Sequence, residues 1–534
     1  MHGTFTLFAL VIGAVVVAGV AKKLKLSAPI LLVLVGLGVG LILDRFGMAD
    51  YSLTRLGPEV VLFLTLPPLL YAEASESSYL GLRQSARALG LLSVGLVLAT
   101  TVVVGVVMHY ACGLSLPAAF MLGALVAPTD AVAATAIGRS LGLPRRILTV
   151  LGGESLLNDA TGLTAYRVAL AAALGGGVSL WEGGAAFIFA AVGGVAVGLI
   201  AAPILQWVRL RVADPVLDNV LALLIPFGVY AIAESIHVGE FAASGVLAVV
   251  VVGLYLGHRK AQTGYSSRLI AGGVWKMVKF FLESIVFALI GLQLPSVLKS
   301  PGLSPVGLVL SGIGVIVLVI VVRIVWVYPA TYLPRLLVRK IRERDPYPNW
   351  RQPAIISWAG MRGVVSLAAA FAIPETVPGR GLILYLVFCV VLGTLVVQGL
   401  TLPTVIRKLG ISANDAFADN LAEANAQQAA IRAAVERLET VLAEEDVEPP
   451  DGVAERLRAW ADSRQLGAWE RLGSGPGPGA KETPSAAYRR LRREMLTAER
   501  AVFVRMRDSR QIDDEVLRRV THELDLEEAM LARE

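Results

Sequence analysis

Cysteine is nearly absent: Cys112 and Cys389 are the two in 534 residues, each in or beside an apolar run. That excludes a disulfide framework and a thiolate metal site. The five histidines, His2, His109, His237, His258 and His522, all lie away from the centre of any apolar run. No imidazole is therefore placed to shuttle protons at membrane depth. Charged residues are scarce as well, at 17% of the chain, and most of the sequence before about residue 410 is too apolar for a soluble globular domain. No Gly-Lys-Ser/Thr phosphate loop occurs, so ATP-driven chemistry has no support. The net charge of +6 falls in short basic clusters between apolar runs. Lipid and topology account for that pattern, and a nucleic-acid partner is not implied.

What the chain has instead is apolar length, with hydrophobic residues making up 55% of it. Segments near 4–21, 27–43, 57–74, 88–109, 117–137, 147–172, 183–205, 216–236, 240–257, 272–294, 305–330, 353–373 and 381–405 suggest about thirteen crossings. Residues 5–20 have the length of a signal peptide, but Lys22, Lys23 and Lys25 follow the apolar run instead of preceding it. That order fits a retained first helix with its N-terminus outside. Loop charge agrees: Arg83/Arg87, Arg139/Arg145/Arg146, Arg209/Arg211, His258/Arg259/Lys260, Arg335/Arg339/Lys340/Arg342/Arg344 and Arg407/Lys408 fall on the side then expected to be cytoplasmic. The other side carries Arg45, Arg55, Lys299 and Arg380. The C-terminus is expected in the cytoplasm and the protein in the cell (inner) membrane as a multi-pass chain.

The predicted fold class is an all-α polytopic membrane protein with about 13 transmembrane helices in two inverted repeats, joined by the seventh helix. Internal likeness between residues 60–68 and 285–295 supports the repeat weakly. The stronger sign is that the corresponding fifth and twelfth segments are both broken, by Ala127-Pro128-Thr129-Asp130 and by Gly360-Met361-Arg362-Gly363. Paired interrupted helices point to a binding site near the bilayer midplane. Residues 1–410 are read as the transmembrane domain and 411–534 as a cytoplasmic helical tail of regulatory character. Helical periodicity in the tail runs near 415–446, 451–471, 485–508 and 511–532, divided by a Gly473–Gly479 linker. Asn414-Asp415 lies in this polar region and is given no transport role.

The chemistry concentrates in Gly152-Gly-Glu-Ser-Leu-Leu-Asn-Asp-Ala-Thr-Gly-Leu163, which puts Glu154 and Asp159 at membrane depth. A charge there costs roughly 2.5–3.5 kcal/mol on insertion scales, so an acid in such a run is a functional-site hypothesis. At i, i+4 spacing Ser155 and Asp159 share one helix face, and Glu154 and Asn158 share the next. Hydroxyl and carboxylate oxygens are what hard cations prefer. Pro128 removes a backbone donor, and carbonyls freed at Thr129 can line a polar cavity. Asp130 suits the positive N-terminus of a second half-helix, and Arg362 suits the ends freed in the twelfth segment; a structural role fits both. Glu154 needs a partner, and Arg323, set in Val321-Val-Arg-Ile-Val325, is the natural one; the alternative is that Arg323 snorkels to the surface. Glu73 can be read as reaching an ion or as an interfacial charge. Glu283 is read as an i, i+4 partner of Lys279. With histidine excluded, the proton falls to a carboxylate. One carboxylate that holds either H⁺ or one monovalent cation gives one-for-one exchange, which moves no net charge.

Four stretches in order, Pro128-Thr129-Asp130, Gly153-Glu-Ser-Leu-Leu-Asn-Asp159, Phe281-Leu-Glu-Ser284 to Gly291-Leu292, and Gly360-Met-Arg-Gly363, resemble the monovalent cation:proton antiporter-1 family, the sodium/proton exchangers. The likeness covers roughly residues 5–408. It implies a homodimer, in which a moving core of the fourth to sixth and eleventh to thirteenth helices works against a dimerisation domain by elevator-type alternating access. It implies that Asp159 binds ion and proton, that Ser155 and Thr129 supply coordinating oxygens, and that Glu73 is a further acid near the ion. Asn158 matches the asparagine of electroneutral members, Glu154 and Arg323 a buried ion pair, and Asp130 and Arg362 the helix-crossing charges. No cofactor is implied beyond transported Na⁺ and H⁺, and the partners are the monovalent cation, the proton, membrane lipid and a second copy.

Electroneutral exchange of one Na⁺ (or Li⁺) for one H⁺ is the expected function, with K⁺/H⁺ or mixed selectivity as the alternative, since coordination number and cavity size are not visible in sequence. An intramembrane hydrolase fits poorly, because Ser155 has no obvious base nearby in sequence and paired aspartates would have to share a proton. A channel would need a filter and a continuous pore. The expectation is a transporter, not an enzyme.

Overall fold

Proline and glycine set where the helices stop. The computed structural model describes residues 2–23, 28–45, 58–175, 180–238, 241–298, 304–345, 347–411, 415–444, 450, 452–473 and 482–533. Lys25, Arg55, Lys299, Asn414 and most of the Gly473–Gly479 linker lie outside them. The chain divides into two units, Met1–Ser412 and Ala413–Glu534. In the first, the helices are α1 (His2–Lys23), α2 (Ala28–Arg45), α3 (Pro58–Glu76), α4 (Tyr79–Gln84), α5 (Ala86–Gly90), α6 (Val97–Cys112), α7 (Leu116–Val126), α8 (Val132–Ser140) and α9 (Arg145–Ala173). They continue as α10 (Leu180–Arg209), α11 (Pro215–Glu234), α12 (Gly245–His258), α13 (Tyr265–Leu298), α14 (Pro305–Leu337), α15 (Arg339–Arg344), α16 (Arg351–Trp358), α17 (Val364–Phe371) and α18 (Arg380–Leu409). Caps follow the sequence: Ser304 accepts from the Gly307 amide at 3.2 Å beside Pro305, and Gly410, at φ +60°, ends α18.

Among the described residues, five stretches are long and apolar enough to cross a membrane: Ala86–Cys112, Trp181–Arg209, Pro215–Glu234, Pro305–Leu337 and Arg380–Leu409. The expected crossings at 117–137 and 353–373 are each two short helices, α7/α8 and α16/α17, separated by non-helical backbone. The stretch before α12 holds a two-residue antiparallel pairing, His237–Val238 with Phe241–Ala242, where the sequence pattern suggested helix from 240. So short a pairing leaves no period to read.

Buried apolar side chains form one large cluster dominated by α7, α9, α14 and α16–α18, and a second built from α3, α10, α11, α12 and the start of α13. Helices approach where side chains are small: Gly36 and Gly40 of α2 lie against the backbone of α13, and Gly253 and Gly257 of α12 against α3.

At one end of this unit, Asp345 ties three helices together. Its carboxylate takes Arg87 and Arg146 at 2.6 Å each and Arg335 at 2.7 Å. Partial burial alone would raise its pKa, but the hydrogen bond from Arg146 and the charges of Arg146, Arg335 and Arg87 outweigh this and hold the carboxyl below its usual range. A depressed native pKa contributes stability that is fully present above the unfolded value of ~3.9 and is lost as pH falls through the native one. Asp345→Asn should therefore lower the thermal midpoint of solubilised protein at pH 7 by an amount equivalent to about 1–2 kcal/mol. The gap between variant and unmodified protein should close below about pH 4; a gap independent of pH would rule out the ion-pair origin.

The described residues of the second unit form four helices, α19 (Asp415–Glu444), α20 (Val453–Gly473), α21 (Pro484–Asp508) and α22 (Asp514–Arg533). A small core of Leu496, Leu524 and Leu531 joins α21 to α22, flanked by Arg492 on Glu527 at 2.6 Å. Arg458 grips Glu439 through both carboxylate oxygens, at 2.8 and 3.0 Å, between α20 and α19.

Candidate ion-binding site

The two broken helices meet at their breaks. The Asp130 amide donates to the Met361 carbonyl at 2.7 Å, so non-helical backbone from one segment pairs with that of the other at the crossing. A methyl group at Gly363 would overlap the Asp130 carboxylate, which is why the crossing needs glycine there. Asp130 Oδ1 accepts from the Val132 amide at 2.8 Å and so covers a free donor at the start of α8. Arg362, buried at 1% exposure, donates from Nε to the Val126 carbonyl at 3.0 Å and from Nη1 to the Gly360 carbonyl. Its positive charge thus sits where α7 and α16 leave carbonyls unpaired, the partial-negative ends of both half-helices. Its own amide is held by Thr394 Oγ1 of α18 at 3.1 Å.

α9 runs beside this crossing and presents its polar face to it. Arg323 of α14 meets Glu154 through both terminal guanidinium nitrogens, Nη1 to Oε1 and Nη2 to Oε2 at 3.0 Å, with the two side chains 0% and 1% exposed. The same guanidinium donates to the Ile356 carbonyl near the end of α16, from Nε at 3.1 Å and Nη2 at 2.9 Å. Arg323 thereby neutralises Glu154 and satisfies a carbonyl at another broken helix. Glu154 Oε1 also accepts from Thr129 Oγ1 at 3.0 Å.

Asn158 reaches Thr129 twice, from Nδ2 to the carbonyl at 3.1 Å and to Oγ1 at 2.9 Å. A backbone carbonyl only accepts, so this position needs a donor, which an ionised carboxylate lacks. Ser155 Oγ accepts from the Ala131 amide at 3.2 Å, fixing the hydroxyl at the mouth of the crossing. Asp159, one turn on, is 8% exposed, and Glu73 and Asp130 are the carboxylates that act on it electrostatically. Ser155, Asn158 and Glu154 thus bond the crossing directly, at Ala131 and Thr129, with Arg323 holding Glu154 and Asp159 buried one turn beyond Ser155.

Glu73 of α3 lies across from α9 in a cavity of about 600 Å³ that Ser155, Ala131, Thr135, Arg139 and Lys279 also line. Its Oε1 is 3.0 Å from Lys279 Nζ, whereas Glu283 is 3.9 Å from the same ammonium. The sequence reading paired Lys279 with Glu283 alone, because i, i+4 spacing is visible along a helix and a partner 206 positions away is not. It also missed a π-helical turn, Leu91–Leu96, whose Leu91 carbonyl accepts from Trp326 Nε1 at 3.0 Å. Ser93 of that turn donates to the Glu154 carbonyl at 3.3 Å. Such turns often occur at functional sites, and nothing in an apolar run signals one.

No group of three or more His, Cys, Asp or Glu arranged to hold a metal occurs among the described residues. The donor set here is neutral oxygens plus a carboxylate, which suits a weakly held monovalent cation passing through as cargo.

The family described as "Sodium/hydrogen exchanger, transmembrane" matches residues 8–408. The Na(+)/H(+) antiporter ApNhaP of Aphanothece halophytica is 32% identical, over 79% of this chain and 75% of its own length. The sodium, potassium, lithium and rubidium/H(+) antiporter of Bacillus subtilis is also 32% identical, over 65% of this chain and 54% of its own. The sodium proton antiporter MjNhaP1 from Methanocaldococcus jannaschii, solved at pH 8, has the same fold at a TM-score of 0.59, covering 77% of this chain and 99% of that one at 19% identity. A family match that runs from α1 to α18 and takes in the crossing, α9 and Arg323 identifies the chain as a member of the sodium/hydrogen exchanger family, which are transporters and not enzymes.

Proposed function

We propose that the protein exchanges one Na⁺ (or Li⁺) for one H⁺ across the cell membrane without moving net charge. The observation that carries this reading is the neutral amide of Asn158 next to Asp159: the α9 face at the crossing offers one carboxylate free of a guanidinium, and Asn158 is spent on Thr129. Asp159 binds cation and proton alternately, Ser155 and Thr129 lend oxygens, and Glu73 is the further acid nearby. Glu154, Arg323, Asp130, Arg362 and Asn158 hold the frame. The protein works as a homodimer in the inner membrane, N-terminus outside and C-terminus in the cytoplasm. About thirteen crossings in two inverted repeats alternate access by an elevator motion, with no cofactor. K⁺/H⁺ or mixed exchange is the second reading, favoured by the named substrates of the Bacillus subtilis relative.

Purified protein in liposomes with an imposed pH gradient, given Na⁺, Li⁺ and K⁺ in turn, tests this. Uptake of Na⁺ and Li⁺ that ignores a clamped membrane potential supports it. Voltage-dependent uptake contradicts the one-for-one count, and uptake of K⁺ in preference to Na⁺ selects the second reading.

Residues 1–410 form the exchanger in this account, and 411–534 a cytoplasmic tail that tunes it. The tail carries none of the proposed ligands. Truncation near Gly410 should shift pH dependence, dimer stability or expression while exchange stays measurable in the same liposomes. Complete loss in a folded, inserted truncation would overturn that division.

A further inference from the structure

Lys279 stands in the cavity that leads to Ser155, 3.0 Å from Glu73 and 3.9 Å from Glu283, with about a quarter of its side chain exposed. Glu73 is the carboxylate that acts electrostatically on both Asp159 and Asp130. Asp130 is already engaged at the start of α8. The ammonium therefore offsets the charge of Glu73, which together with Asp130 adds to the negative field at Asp159. Lysine suits this task, being a compact point charge on a flexible stem that can shift between two carboxylates.

We propose that Lys279 is an affinity- and specificity-determining residue: a tethered cation that keeps Glu73 as its own counter-ion and so lowers the negative charge that the transported cation meets at Asp159. The inference rests on the exchanger reading above. It follows that Glu73 joins the ion's ligands only to the extent that Lys279 lets go. Without the ammonium, the uncompensated charge of Glu73 would add to the field that the incoming cation meets. Ligand charge count is a main control of cation affinity, and one added charge at contact range in a hydrated cavity alters binding by roughly tenfold or more. The second charge should strengthen binding of the small cations Na⁺ and Li⁺ more than K⁺. Tighter binding also slows release, so turnover should fall.

The test uses full-length protein in liposomes under an imposed pH gradient, with initial rates measured against Na⁺, Li⁺ and K⁺ concentration. Exchange by the unmodified protein is established first; its absence would count against the exchanger reading and not against Lys279. With exchange present, Lys279→Gln should lower the KM for Na⁺ by roughly tenfold with reduced kcat, and lower that for K⁺ less. Lys279→Arg, which keeps the charge, should stay nearer the unmodified values than Lys279→Gln does, and Lys279→Gln with Glu73→Gln should return the KM towards them. A merely structural lysine would lower the amount of folded protein without splitting KM from kcat. If Lys279→Gln folds and leaves the Na⁺ KM unchanged, the proposal is wrong. If Lys279→Gln does not fold, Glu73→Gln alone decides: it strands the ammonium beside the site and should raise the KM, and adding Lys279→Gln to it should bring the KM back. A KM that stays high in the double variant would make Glu73 a plain ligand and overturn the role of Lys279.

Discussion

Asp159→Asn should abolish pH-driven cation uptake in liposomes while the protein still folds and inserts. Asparagine keeps the shape of the side chain but removes both its charge and its ability to take up a proton. No histidine lies in the segments that form the crossing or in α9, and Glu154 is locked to Arg323 through two parallel contacts. The expected loss is at least ~100-fold, which corresponds to about 2.7 kcal/mol of lost ion stabilisation. Ser155→Ala and Thr129→Ala should have smaller effects, mainly a raised KM, because water can partly replace a neutral oxygen. Thr129→Ala should be the worse of the two, since its hydroxyl also bonds Glu154 and Asn158. Uptake persisting at near-normal rate in Asp159→Asn would move the proton to another group, with Glu73 the first to examine.

The second large effect concerns the frame. Removing one partner of a buried ion pair typically costs 3–5 kcal/mol, because the other is left charged and unpaired. Arg323→Ala should fall at the upper end of that range, since it also strands the Ile356 carbonyl that the guanidinium satisfies. Glu154→Gln should cost less, as an amide can still accept from Thr129. The double variant Glu154→Gln/Arg323→Met should yield more folded protein than Arg323→Ala. Thermal melts of solubilised protein read this directly, and an Arg323→Ala variant as stable as the unmodified chain would show that the pair does not hold the site.

Much of this arrangement is legible in the sequence because membrane depth makes charge conspicuous. Glu154 and Arg323 each interrupt an apolar run, so each advertised the need for a partner, although 169 positions separate them. The paired breaks at Pro128 and Gly360 announced themselves through proline and glycine. What stayed hidden lacked either signal. Lys279 had an acid one helical turn away, and that local partner masked its closer contact with Glu73. Asp345 lies outside any apolar run, so nothing in its surroundings marks it, yet three arginines from α5, α9 and α14 converge on it. The internal hydrogen bonds of Thr129 and Asn158 could not be foreseen from spacing, because they depend on how the crossing brings residue 129 onto α9. They also narrow the chemistry: Thr129 is already committed to Glu154 and Asn158, so its oxygens are shared with the frame.

The central claim is that a proton and a cation compete for one carboxylate, Asp159. Proton release on cation binding measures this without transport. Adding Na⁺ to purified, weakly buffered protein should release about one proton per protomer near the pH where exchange is fastest, following linkage between the two ligands. Asp159→Asn should release none. Raising Na⁺ should likewise extend proton release to lower pH in the unmodified protein. Release of about one proton from Asp159→Asn, or none from the unmodified protein at any pH where it exchanges, would contradict the account.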